Sequence, residues 1–111
     1  MNDHERIANY LLQNLHMIKM FHWFAHTYDQ HKIFDKLFED LSDEVDAFME
    51  NILSIKTLRI PYIPKNAKTS SQDLLSDLEK FINSIRIKRV EASIDNMNQI
   101  IGKYRYLLLL K

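Results

Sequence analysis

A chain of 111 residues, 46% of them hydrophobic, is long enough for one domain with a modest core and too apolar for a disordered segment. One glycine and two prolines supply too few turn residues for an all-β fold, and the absence of cysteine excludes a disulfide framework and a zinc ribbon. Zero net charge hides an asymmetry: residues 1–53 carry four Lys/Arg against ten Asp/Glu, and residues 54–111 carry eleven against five. That split argues against a nucleic acid bound by the whole surface and for a cation site in the first half. No charged-then-apolar leader opens the chain, and the four leucines at 107–110 are far too short a run to cross a bilayer. A cytoplasmic protein without membrane contact is expected.

The first helix is predicted over about 3–27, with Asp3 as its cap and Glu5 favourable in its first turn. Leu11, Leu15, Ile18, His22 and Ala25 recur at helical spacing as a core-facing stripe. Tyr10, Leu12, Phe21, Trp23 and Phe24 widen the apolar band beyond what one small bundle buries, which implies packing against another subunit. A short turn at Thr27, Tyr28, Asp29 and Gln30, with Asp29 as the expected cap, leads into a second helix over about 30–56. Its stripe is Phe34, Phe38, Leu41, Val45, Phe48, Ile52 and Ile55. Pro61 and Pro64 mark 57–69 as a linker. Ser70 or Ser71 caps a third helix over about 71–86 with the stripe Leu74, Leu78, Phe81 and Ile85. After a break near 86–92, a fourth helix over about 92–110 carries Ile94, Met97, Ile101, Tyr104 and Leu108. Gly102 inside it is expected where another helix comes close. There is no internal repeat and no low-complexity tract. The fold class is therefore all-α: a ferritin-like four-helix bundle of two hairpins joined by a longer crossover between the second and third helices.

The chemistry-bearing residues lie between His22 and Glu50. His31 and Asp35 are four apart on the second helix, as are Asp46 and Glu50, so each pair shares a helix face. The short turn sets His22 level with His31 and Asp35. The two pairs lie 15 residues apart, about 22 Å along a straight helix, so no single ion touches both pairs of one chain. If they share a site, a second copy of the chain completes it. Plainer readings stand beside this one. His22 can be a satisfied core histidine, His31 and Asp35 an exposed first-turn pair, and Asp46 and Glu50 part of a solvated acidic face with Asp40, Asp43 and Glu44. Trp23 reads as interface packing, His4, His16 and His26 as surface, and Met17 and Met20 as core or interface. Arg86, Lys88 and Arg89 read as a solvated basic face, with nucleic-acid contact as the minority option.

The pattern His22-Trp23, then His31, Asp35, Asp46 and Glu50, resembles the signature of Dps-type miniferritins, the iron-oxidising starvation branch of the ferritin superfamily. The wording DEVDAFMENIL and GKYRYLLLL is similar to that family as well. The resemblance implies a ferroxidase that oxidises iron(II), as a di-iron or mononuclear site, with peroxide or dioxygen. It implies metal ligation by His22, His31 and Asp35 of one chain and Asp46 and Glu50 of the neighbouring subunit, in a homo-oligomer that is at least a twofold dimer. The Glu-x-x-His pairs of ordinary ferritins are absent. The turn between the first two helices is shorter than the family's, as are the crossover and the last two helices, and no lysine-rich tail precedes the first helix. DNA binding and a twelve-subunit shell are therefore not implied. Two rivals remain: a metal-free ferritin-like scaffold that binds a ligand or partner, and a DNA-associating architectural protein using the basic second half.

Overall fold

The computed structural model describes residues 3–53, 70–87 and 90–110. It contains four helices: α1 (Asp3–Trp23), α2 (Tyr28–Leu53), α3 (Ser71–Asn83) and α4 (Glu91–Leu109). Among the described residues there is no strand, and no helix is long and apolar enough to cross a membrane. The all-α four-helix bundle expected from the sequence is what forms. The linker placed at 57–69 and the last residues expected of the second helix lie outside the described residues.

Capping chemistry sets the boundaries and corrects three of them. α1 stops at Trp23 rather than near Thr27, because Thr27 belongs to the next helix as its cap. The Thr27 hydroxyl accepts the Gln30 N–H at 3.1 Å, and its carbonyl accepts the His31 N–H at 3.0 Å. Asp29, expected as that cap, sits in the first turn of α2, where its charge opposes the positive helix end. Ser70 caps α3 by accepting the Asp73 N–H at 3.3 Å. α3 ends at Asn83, short of 86, because the Ser84 hydroxyl and N–H both turn back on the Phe81 carbonyl, at 2.6 and 3.0 Å. Ile85 and Val90 of the break are themselves buried.

Side-chain contacts fix the topology. His22 meets His31 across the first hairpin. Asn98 Nδ2 donates to Asn83 Oδ1 at 2.7 Å, and Gln72 Nε2 to the Arg105 carbonyl at 3.4 Å, so α3 and α4 are antiparallel. Tyr104 donates to Asp40, and Asn96 Nδ2 to Glu44 Oε1 at 3.3 Å, which makes α2 and α4 antiparallel neighbours. The Tyr10 and Phe81 rings, 3.9 Å apart, join α1 to α3. Around the bundle the order is α1, α2, α4, α3, with α2 and α3 on a diagonal and out of contact. Phe24, Phe34, Ser71 and Leu108 border one cleft, so α1 and α4 finish at the end where α2 and α3 begin. α2 and α3 are thus parallel, the arrangement of bundles with one long crossover.

The core follows the expected stripes with local substitutions. Leu11, Ile18, Leu41, Phe48, Ile52, Leu74, Leu78, Met97 and Ile101 are buried almost completely. Leu37, Leu75 and Ile82 join them, whereas Phe38, Phe81 and Ile94 pack at the core's edge. Asn14, buried among apolar neighbours, satisfies its amide on the Tyr10 carbonyl at 2.8 Å.

Gly102 does not mediate a close approach. It is exposed, and a Cβ added there would meet nothing within 4 Å. Gly102→Ala is therefore expected to stabilise the fold by about 0.5–1 kcal/mol, read as a higher urea midpoint at unchanged slope. Tyr104 behaves in the opposite way. Burial, then the hydrogen bond and charge of Asp40, with Glu39 beyond it, push its hydroxyl from 10.0 up to about 12. The folded value lies above the unfolded one, so this contribution is whole below pH 10 and is lost as pH rises to about 12. Tyr104→Phe is expected to cost about 1–2 kcal/mol at neutral pH and to flatten the loss of stability between pH 10 and 12, both measurable by urea unfolding.

Candidate functional site

The tip of the α1–α2 hairpin brings three of the five candidate residues together. The His22 and His31 rings stack with centroids 4.0 Å apart. His22 Nδ1 lies 2.9 Å from the His31 carbonyl oxygen, and His31 Nδ1 lies 2.9 Å from the His22 carbonyl oxygen. A carbonyl oxygen only accepts, so each Nδ1 carries the hydrogen and donates it. In the neutral rings this leaves both Nε2 atoms with a free lone pair. His22 Nε2 then stands 3.8 Å from Asp35 Oδ1. His22 is buried, whereas the Asp35 side chain is about half exposed.

Local sequence explains the arrangement. His22 is the penultimate residue of α1, where helix carbonyls lack intrahelical partners, and the His31 ring supplies one. His31 lies in the first turns of α2 because Thr27 caps that helix four residues earlier. The Phe21 and Phe34 rings, stacked 5.6 Å apart, make a second contact between the two helices near this turn.

Chemically, this is an imidazole of fixed tautomer facing a carboxylate. A ring nitrogen whose partner N–H is anchored on a backbone carbonyl has the usual outer-shell support of a metal-bound histidine. Two acceptors at 3.8 Å are too far apart for a hydrogen bond. Two ligand atoms at about 2.1 Å from one ion stand roughly 3.0–3.6 Å apart at angles of about 90–120°, so a shift of a few tenths of an ångström would bring both within reach of one ion. Imidazole with carboxylate suits a borderline transition ion better than calcium or magnesium.

Asp46 and Glu50 are not part of this cluster. Both are exposed on α2, toward its far end. Because α2 is one uninterrupted helix, His31, Asp35, Asp46 and Glu50 fall within roughly 100° of its circumference, on the face turned outward from the bundle. Asp46 borders a groove of about 240 Å³ between α1 and α2, lined by Ala8, Leu12, Leu15, Val45 and Met49. Among the described residues of a single chain, no three His, Asp or Glu side chains are placed to hold a metal ion.

Other expected surface residues divide. His16 and His26 are exposed, but His4 is half-buried. Met17 is in the core, and Met20 is exposed. Arg86 is exposed, and Lys88 and Arg89 lie outside the described residues. In the second half, the described residues carry four basic side chains (Lys80, Arg86, Lys103, Arg105) against five acids (Asp73, Asp77, Glu79, Glu91, Asp95), and the residues that give that half its basic excess lie outside the described residues. The reciprocal ring-to-carbonyl bonding is the feature that residue spacing missed. Its signal is a pair of histidines nine residues apart that bracket a helix-capping threonine. Both neutral imidazoles are expected as the Nδ1–H tautomer. Long-range nitrogen–proton correlation spectra of the ring nitrogens at pH 8 would show this, and Nε2–H rings would contradict the geometry.

The model of a family described as "Family of unknown function (DUF5856)" matches residues 22–108, a span that contains all five candidate residues. No curated protein and no solved structure matches the chain. With more than three-quarters of its length inside that match, the chain belongs to the DUF5856 family.

Proposed function

We propose that the chain is a ferritin-like, Dps-type ferroxidase whose iron site is completed by a second copy of itself. The observation that carries this reading is the hairpin tip: His22, buried and held as the Nδ1–H tautomer, faces Asp35 across 3.8 Å. The order α1, α2, α4, α3, with parallel diagonal helices, is also the ferritin-like order.

Residue spacing supplies the twofold. The midpoint of His31 and Glu50 is also the midpoint of Asp35 and Asp46, between Asp40 and Leu41. Two α2 helices paired antiparallel about that point set each His31 level with the partner's Glu50 and each Asp35 level with the partner's Asp46. Each dimer then holds two sites, each made of two imidazoles and three carboxylates. Ferrous ion is the substrate. Two such ions give up one electron each, and with two protons these reduce one hydrogen peroxide to two water molecules. The carboxylates favour the harder ferric product, while the imidazoles favour the ferrous ion that enters.

The metal-free scaffold is the rival, and subunit complementation separates the two. His22→Ala/Asp35→Ala and Asp46→Ala/Glu50→Ala chains are each expected to lose saturable ferrous oxidation, followed at the ultraviolet ferric band after anaerobic loading. Co-refolded in equal amounts, they are expected to recover about a quarter of the parent's sites, because half of the dimers are mixed and each mixed dimer has one intact site of two. A parent chain with no saturable oxidation would leave the scaffold reading in place.

A further inference from the structure

The end of the bundle opposite the hairpin tip gathers cations that the iron site does not use. α1 begins there, and α3 ends there at Asn83. A cleft of about 380 Å³ lies between them, bordered by His4 and Arg6 of α1 and by Arg86 of the segment after α3. Asp3 is the one acid on its rim among the described residues. His4, expected on the surface, is half-buried here. Ile7, Phe81 and Ile85 give the cleft an apolar wall, continuous with the core.

Arg86 is held in position at this cleft. Its Nη1 donates to the carbonyls of Asn83 and Ile85, the second at 3.2 Å, where the end of α3 leaves backbone acceptors open. The other three N–H donors of its guanidinium, on Nε and Nη2, take no partner among the described residues. Neither Arg6 nor Arg86 has a carboxylate partner among those residues. Two like charges bordering one cleft repel each other, and an anion between them removes that cost.

We infer that this cleft binds a phosphate monoester carrying a flat or apolar organic group. Guanidinium forks match phosphate and carboxylate alike. Two forks from different elements suit a tetrahedral group with three terminal oxygens better than a planar carboxylate with two. The positive end of α1 lies on the same side and favours the group of higher charge. The volume falls within the range of small-molecule sites, about 300–1,000 Å³, and exceeds what one inorganic anion fills. The apolar wall then takes the organic part of the ester.

The site is independent of the iron reading, because it shares no residue with it. Calorimetric titration of the full chain with phenyl phosphate is expected to show one saturable site per chain. Inorganic phosphate is expected to bind at least about tenfold more weakly, since it leaves the apolar wall uncovered. Arg6→Gln and Arg86→Gln, both at exposed positions, are expected to keep their helical circular dichroism and each to weaken phenyl phosphate by at least about tenfold. Lys36→Gln removes the same charge from α2 and is expected to leave binding unchanged. Vesicles containing phosphatidic acid identify the source of the ester: sedimentation of the chain with them, reversed by phenyl phosphate, assigns a lipid headgroup, and no sedimentation assigns a soluble ester. Absence of saturable phenyl phosphate binding would overturn the inference. So would equal weakening by Lys36→Gln, which reports general charge, or inorganic phosphate binding as tightly as the ester.

Discussion

Two hydrogen bonds at one turn hold this structure in the form that matters for its chemistry. Each of two stacked histidines donates from Nδ1 to the other's backbone carbonyl, which joins the end of α1 to the start of α2. The same bonds settle where the protons of both rings reside. A neutral histidine on a core stripe has two tautomers and several rotamers available to it. Here the backbone leaves one tautomer, with the free lone pair of His22 aimed toward Asp35. The arrangement costs little, because the His22 carbonyl lies in the last turn of a helix and needs an external partner in any case.

The rest of the bundle decides which surface remains open. α1 packs on α2 and α3, and α2 packs on α1 and α4. The side of the first hairpin turned away from α3 and α4 has no covering element among the described residues. Along it run Trp23, Leu12 and Met49 together with His31, Asp35, Asp46 and Glu50. The opposite side of α2 is committed to α4 through Tyr104–Asp40 and Asn96–Glu44. Asp40 and Glu44 are thus tied to α4, whereas Asp35, Asp46 and Glu50 lie on the open face.

Much of this was legible in the sequence, for physical reasons that differ by element. Apolar spacing located all four helices, because a 3.6-residue period survives wherever one face is buried. It misassigned edge positions such as Phe38 and Phe81, where a large ring covers the core's margin while its neighbour Leu37 or Ile82 fills the centre. Helix ends depended on single hydroxyls. Thr27 and Asp29 are both acceptable caps, and their composition alone does not rank them. Gly102 reads identically in sequence whether a helix lies against it or water does. At the candidate site, the level match of His22 with His31 and Asp35 followed from turn length. The paired ring-to-carbonyl bonds did not, because they depend on how closely two helices approach. The separation of Asp46 and Glu50 from that cluster was fixed by the rise of a single helix.

The central claim is that one chain carries half of a metal cage and its twin carries the other half. Native mass spectrometry under anaerobic conditions, with ferrous ion added across a range of protein concentrations, tests it most directly. The account expects monomers to remain free of iron and dimeric species to retain it, saturating at two sites per pair of chains. Iron loaded equally on monomers and dimers, or no specific loading on either, would contradict it.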